Sequence, residues 1–430
     1  MPRSLNKSLF VIILLVLAVV GLYSQEQTWQ AKIIDINAYL ETNPSDTAAR
    51  TALAYYYMMN NQPLLGLREY RVVVEADSSK TDAQAGILWA LNSMEQYKTT
   101  IKLAHDLLQT YPEIAAIHNL VAFAYLKKQD TTIARYHYKM ASDEAGHDLL
   151  ARQTALEGLG WTNMLLDNTA RALQYYSKAQ SLNRVDIYGL TRLNTPRFTT
   201  AFSYSVPDST GKAYRVSQSI RYRTWKADLA VDEFQLNNKH FRTIYMANLT
   251  KQFSTLQTGL HYAYADGNDA RVYPASNIGL SVAPMLYYRS TLMKLDQSVN
   301  MAHYERFNGY QYSITPSLRR GKWQTAYTYS YHYQDNEAVG ADTSKAIHRV
   351  QLSRTMYKGS ELGLYGGYGD TAWTVDNYLN LTDAFDAKSK YFGCSLFVPL
   401  GDMIELTQYN EWGYSADWQY LFYLKLAIRY

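Results

Sequence analysis

The sequence predicts an α + β multidomain chain, in which an N-terminal α-helical repeat solenoid is followed by an antiparallel transmembrane β-barrel of about 14 strands. Three observations predict it. Apolar residues recur at three- and four-residue spacing from about Thr28 to Arg184, the period of amphipathic helices. From Arg197 onward the period switches to two, the signature of strands with two unlike faces. The chain also has 40 Tyr and only 19% charged residues, a composition suited to surfaces where apolar and wet environments meet.

The first residues set the expected compartment. Arg3 and Lys7 precede an apolar run of 14 residues, Leu9 to Leu22, and then Tyr23-Ser24-Gln25. That run is shorter than the ~20 residues of a spanning helix, so residues 1–24 read as a secretory signal peptide cleaved near Ser24. An uncleaved N-terminal anchor is the alternative. No later segment has the length of an apolar spanning helix, so a mature chain that crosses a membrane must do so with strands. The single cysteine, Cys394, excludes a disulfide or Cys-based metal site within the chain, and lies too far along to be a lipidated residue after a signal. A net charge of +4 argues against a general nucleic-acid binder. No phosphate-cradling Gly-rich loop, paired-His helix or Cys/His cluster occurs, so neither cofactor nor metal is expected.

Residues 25–190 contain the repeat. Small or aliphatic residues expected to pack closely fall at Ala54, Leu88, Ala122 and Gly160, separated by 34, 34 and 38 residues. Second-helix positions follow in step at Gly66, Thr100, Ala134 and Ala172, with aromatics at Tyr70, Tyr138 and Tyr176, and Ala104 interrupting that series. The segment Asn168 to Arg184, carrying Ala172, Tyr176 and Ala179 after Leu159-Gly160, resembles a tetratricopeptide repeat, whose period is 34. Four extra residues before the last repeat are expected in a lengthened turn near Ala145–Asp148.

The residue after each small position is Tyr55, Trp89, Phe123 and Trp161. The resemblance implies that this position faces the concave groove, where an aromatic ladder would grip a periplasmic protein, peptide or glycan. The alternative is that the rings fill the inter-helix core. Trp89→Ala and Trp161→Ala distinguish the two, because a collapse in thermal stability marks core and intact folding marks groove.

Residues 197–430 alternate. Tyr310, Tyr312 and Ile314 interleave with Gln311, Ser313 and Thr315, and Tyr327 to Tyr333 interleave with Thr328, Ser330 and His332. Fourteen strand-like runs are legible, near 197–206, 213–223, 227–236, 241–253, 255–265, 277–288, 291–303, 308–320, 322–333, 346–357, 360–369, 390–398, 403–411 and 417–430. Their connections alternate long and short, the pattern of outer-membrane barrels. In hydrocarbon no strand edge is left unpaired, so a spanning sheet must close. A soluble sandwich or ligand-holding barrel is the competing class. The turn near Arg223–Lys226 lacks Gly, Pro and Asn, so a twelve-stranded barrel with one bent strand is a further alternative. Pro284 and Pro316 inside runs are expected to mark bulges or strand ends.

On the polar face, Arg215, Arg221, His261 and His332 are expected to face the lumen, with Ser330 and Glu405. Asp228 and Asp232 can oppose Arg215, Arg221 and Arg223, either as an anion-attracting wall or, more simply, as cross-strand pairs. Scattered Ser and His are normal in a polar lumen, so a catalytic site is not expected. The terminal aromatic Tyr430 resembles the signal read by the barrel-assembly machinery of bacterial outer membranes.

In domain order the chain resembles exopolysaccharide exporters that join periplasmic tetratricopeptide repeats to an outer-membrane barrel, and the YaiO-like barrels. The resemblance implies a bacterial outer-membrane location among lipid, repeats in the periplasm, and a role in transport, export or assembly without enzymatic activity. A non-conducting anchored scaffold and, third, a lipid-modifying barrel enzyme are the alternatives.

Overall fold

The computed structural model describes residues 28–183, 187–206, 211–236, 239–267, 276–303, 308–335, 343–369, 374–375, 381–382, 390–401, 403–414 and 418–430. The signal-peptide assignment and most of the longer strand connections lie outside them. Contacts divide the chain into two compact units. The first runs to Lys128 and includes Met140–Arg152; the second comprises Gln129–Lys139 and everything from Gln153 onward. Each is described by itself.

Helix α1 covers residues 28–42. Then follow α2 (Thr47–Met59), α3 (Pro63–Ala76), α4 (Thr81–Ser93), α5 (Tyr97–Thr110), α6 (Ala115–Lys127), α7 (Thr131–Glu144), α8 (Leu149–Leu165), α9 (Thr169–Asn183) and α10 (Tyr188–Asn194). First helices α2, α4 and α6 have 13 residues each, and second helices α3, α5 and α7 have 14. The three-residue corners after α2, α4, α6 and α8 each place a left-handed residue in the middle: Asn61, Glu95, Gln129 and Asp167, at φ 56, 59, 65 and 56°. The connection Ala145–Asp148 has the same length as those before α4 and α6. The four extra residues therefore do not lengthen that turn. They add a helical turn to the N-terminal end of α8, which has 17 residues. Leu149 and Leu150, exposed but strong helix formers, continue the helix toward its N-terminus, with Asp148 Oδ1 accepting from the Ala151 amide at 2.9 Å.

In the first unit, Asp46 caps α2 by accepting from the amides of Ala48 and Ala49, and Pro63 opens α3 where a missing N–H costs nothing. The core is built from Ala54, Leu67, Tyr70, Val73, Ile87 and Leu91, and farther along from Leu88, Ala104, Ile117 and Val121. The Tyr70 ring lies flat on Gly86, where a Cβ would stand 2.4 Å from the ring. Asn92 donates to the Leu120 carbonyl and Asn119 to that of Ala151, both at 2.9 Å, tying successive first helices together.

His118 in α6 is buried, and burial holds its pKa below the usual histidine value, against the opposing effects of the Pro112 carbonyl and Glu144. Its unfolded pKa is the higher one, so the unfolded chain takes up the proton first. The stability this neutral ring contributes is present above about pH 6.5 and is lost as pH falls from there toward the folded value. Thermal melts of wild type and His118→Gln should converge as the pH is lowered through that window, and a constant difference between them would contradict the assignment.

The second unit contains the sheet. Strands β1 (Arg197–Val206), β2 (Gly211–Tyr222), β3 (Trp225–Leu236), β4 (Lys239–Gln252), β5 (Leu256–Gly267), β6 (Ser276–Tyr288), β7 (Thr291–His303), β8 (Asn308–Arg320), β9 (Trp323–Asp335), β10 (Thr343–Thr355) and β11 (Glu361–Tyr368) are followed by a small hairpin, β12 (Thr374–Val375) and β13 (Leu381–Thr382). Then come β14 (Lys390–Pro399), β15 (Ile404–Tyr414) and β16 (Trp418–Arg429). Apart from the hairpin, the 14 strands close into one antiparallel barrel in which chain neighbours pair and β16 returns to β1.

The doubtful turn is real. Arg223 takes φ 51° between β2 and β3, and its strain is offset because its amide donates to the Leu193 carbonyl at 3.2 Å and its Nε to Asn194 at 3.1 Å. The twelve-strand alternative is thereby removed. Pro284 and Pro316 form neither bulges nor strand ends. The β6–β7 ladder simply skips from Val282 to Met285 and the β8–β9 ladder from Ile314 to Ser317, with register preserved. A missing N–H faces only one neighbour, so each proline interrupts one ladder and leaves the other intact.

The β1–β16 seam, paired from Thr199–Arg429 to Val206–Phe422, is extended by Tyr430. Phe198 and Tyr430 exchange backbone hydrogen bonds at 3.1 and 3.0 Å, their rings stack at 6.0 Å, and the Tyr430 hydroxyl meets Thr200 and Gln218. Tyr430→Ala should slow barrel closure, followed by the heat-modifiable band on a gel, and Tyr430→Phe should restore most of the rate through the stack. Equal rates in Tyr430→Ala and wild type would show that the seam closes without it.

Candidate functional site

The barrel is inverted in polarity. Its interior wall carries buried polar side chains, among them Asn277, Asn300, Gln311, Ser313, Thr315, Ser330 and His332. Its outer face exposes Phe202, Leu229, Tyr262, Leu280, Val299, Leu364 and Leu426. Leu229 and Leu280 are each 62% exposed.

The structure places His261 on the interior wall, 0% exposed, with its Nδ1 facing Asn248 Oδ1, which fixes the ring as an Nδ1–H donor. His332 is likewise buried on that wall, opposite Gln311 and Lys345. The Ser330 hydroxyl is shared with Ser313 at 2.7 Å, a cross-strand link. Arg215 makes two charge-assisted hydrogen bonds to Asp232 across β2 and β3, which favours the pairing reading over an anion-attracting wall. The expected partners of the other arginines differ. Asp228 is taken by Ser219 and Lys226, Arg221 reaches Asp167 at the α8–α9 corner at 2.6 Å, and Arg223 has left the strand for the turn. Glu405 pairs with Arg429.

Sequence reasoning missed two features of the interior. Ile244, Met246 and Ala263 form an apolar patch within the polar wall. The alternation of β4 and β5 carries them inward, but apolar residues on a nominally polar face give no warning alone. The other is the short-turn end, where helices of the same unit meet the strands. The Gly321 amide donates to Thr132 Oγ1 at 2.6 Å. Gln252 Oε1 accepts from the Thr169 amide and hydroxyl at 2.8 and 2.7 Å, and its Nε2 donates to the Asp167 carbonyl. Arg135 stands 3.6 Å and Arg171 4.8 Å from the centre of the Tyr287 ring. One signal was available for this: the corner residue that is Asn60, Met94 and Lys128 in the first three repeats is Leu166 in the fourth.

The aromatic series is mixed in environment. In the first unit, Tyr55 and Phe123 are 43% and 38% exposed. Trp89 is half-buried against the core around Ala54 and Tyr70, with its ring 6.0 Å from that of Tyr55. Phe123 lies 6.4 Å from Tyr97 and carries Lys127 over its face at 5.2 Å. In the second unit, Trp161 is half-buried beneath Arg192 at 5.8 Å. Tyr55 and Phe123 thus expose ring surface, while Trp89 packs against the inter-helix core.

No protein-family model and no curated protein matches this chain. Solved structures that match its helical part include a thermophilic tetratricopeptide-repeat protein of Thermus thermophilus, at 16% identity over 40% of this chain and 92% of that one, with a TM-score of 0.34. PilF of Pseudomonas aeruginosa matches at 20% identity, 33% and 62% coverage, and a TM-score of 0.30. YrrB, a repeat protein with an unusual peptide-binding site, matches at 14% identity, 40% and 87% coverage, and a TM-score of 0.29. These scores are low, and the fold rests on the chain's own repeated helix lengths, left-handed corners and ring–glycine contacts. It is a tetratricopeptide-like helical repeat followed by a closed 14-strand antiparallel barrel.

Proposed function

We propose that this protein is an outer-membrane β-barrel whose helical repeats work in the periplasm, acting in transport, export or assembly at that membrane. The observation that carries the reading is the inverted polarity of the closed sheet, with apolar side chains outward and polar ones buried inward. Most strands have 10–14 residues, enough to cross hydrocarbon when tilted. Tight turns, the helices preceding β1 and the chain terminus share one rim, which is the periplasmic rim in such barrels. The reading predicts that mature protein requires detergent or lipid and migrates as a heat-modifiable band. Protein that stayed dispersed in plain buffer without that shift would remove it.

The repeats supply a binding face for a periplasmic protein, peptide or glycan at Tyr55 and Phe123, and the role is non-enzymatic. Tyr55→Ala with Phe123→Ala should weaken capture of apolar peptides or of oligosaccharides without lowering the melting temperature of the helices. A second reading, an anchored scaffold whose barrel conducts nothing, is favoured by the filled interior around His261. Planar-bilayer conductance separates the two.

A further inference from the structure

The interior positions of the strands can be followed to the short-turn rim. Arg221, Gln252, Met285, Tyr287 and Leu292 keep the alternation of Ser217, Asn248, Ala283 and Ser298, so all five face the interior at that end. The α8–α9 corner, Leu166-Asp167-Asn168, meets each of them directly or through Arg135 and Arg171. Leu166 is 6% exposed and packs on Met285, Leu292 and Tyr287. Met285 lies one interior layer beyond Tyr287, so the corner enters the mouth and does not merely rest on the turns. Asp167 pairs with Arg221. Gln252 is held at both ends of its amide by Thr169 and the Asp167 carbonyl, and Asn168 and Arg171 both donate to the Ser254 carbonyl, at 3.0 and 2.7 Å.

We propose that the α8–α9 corner is a displaceable stopper in the periplasmic mouth of the barrel, so that the chain's own last repeat shuts the passage. This rests on reading the strands as membrane-spanning. The composition of the contact argues for a gate and not a permanent junction. A permanent junction would be dominated by apolar burial, the main source of lasting stability. Here Leu166 is the helix side chain in the apolar cluster with Met285, Leu292 and Tyr287, two guanidiniums lie over the Tyr287 ring, and the other contacts are hydrogen bonds and an exposed ion pair. Water can replace hydrogen bonds at small net cost, and exposed ion pairs contribute little. Of the corner equivalents, which share the same three-residue turn geometry, Asn60 and Lys128 are polar and Met94 packs on the core of its own repeat, whereas Leu166 packs on the strands.

The test is single-channel recording of the full mature chain in planar bilayers, with Cys394→Ser as the background. Wild type should insert and remain mostly closed. Gln252→Ala combined with Arg221→Glu removes the Gln252 hydrogen bonds and the Asp167 ion pair and should raise open probability roughly tenfold or more, the change that about 1.4 kcal/mol of lost closure produces. Asp167→Cys with Arg221→Cys, bridged by a short bis-maleimide, should suppress openings below the unbridged protein. This second arm needs no destabilised fold. A Gln252→Ala, Arg221→Glu protein that gates like wild type, a bridged protein that conducts as freely as the unbridged one, or a wild type already fully open would each overturn the stopper while leaving membrane insertion intact. Failure of wild type to insert at all would remove the membrane reading, and the stopper with it.

Discussion

Leu280→Lys should destabilise the barrel by about 2–4 kcal/mol if its outer face meets hydrocarbon, the cost of a lysine near the bilayer midplane. Leu280 pairs with Leu260 and Val299 across β5 and β7, and both neighbours are exposed apolar residues. On a soluble surface the same change would fall within about 0.5 kcal/mol of neutral, so the two environments give results well apart. Tyr288→Lys supplies the control. It also points outward but ends β6 at the short-turn rim, where a charge should cost about 0–1 kcal/mol. Urea refolding titrations in lipid vesicles measure both. Equal and negligible effects would mean that this face is wetted by water.

Tyr176→Ala should cost roughly 3–5 kcal/mol of helix stability, the range for removing a large buried ring. Tyr176 is 3% exposed, and its burial raises the pKa of its phenol. The ring is wedged between Gly160 and Gly189, where added Cβ atoms would stand 2.5 and 2.1 Å from it. No small rearrangement fills the hole left between two glycines. Limited proteolysis should therefore open α8–α10 while the closed barrel persists. The reciprocal change, Gly160→Ala, sets a helix-propensity gain of about 1 kcal/mol against overpacking of about 1–3 kcal/mol. Overpacking should win, because the ring has no free side to move toward. Wild-type resistance in Tyr176→Ala would show that the ring is not what joins these helices.

The elements most legible in the sequence were those with a strict period. The runs at 291–303 and 308–320 coincide with β7 and β8, because Met293, Leu295, Val299 and Met301 on one and Tyr310, Tyr312, Ile314 and Leu318 on the other hold the two-residue period. The Tyr70, Tyr138 and Tyr176 register likewise marked rings that the structure seats on Gly86, Gly158 and Gly160. Legibility failed where a residue's partner is distant in the chain. The Arg223 turn carries no turn-forming residue, and its support comes from Leu193 and Asn194. The extra four residues of the last repeat looked like a loop because only the length of the insertion shows in sequence, whereas helix propagation through Leu149 and Leu150 decides where it goes.

Sequence by itself determined the two periodicities, and with them a helical repeat followed by a sheet whose faces differ in polarity; these are local properties, set by the 3.6- and two-residue repeats of the backbone. Tertiary structure alone decided which polar residues meet: that Arg215 finds Asp232 but Arg221 finds Asp167, and that Leu166, Asn168 and Thr169 reach the strand ends near Met285, Ser254 and Gln252. Periodicity fixes the side on which a residue lies. Its partner is chosen by closure of the sheet and by the path of the helices, which bring together residues more than 80 positions apart.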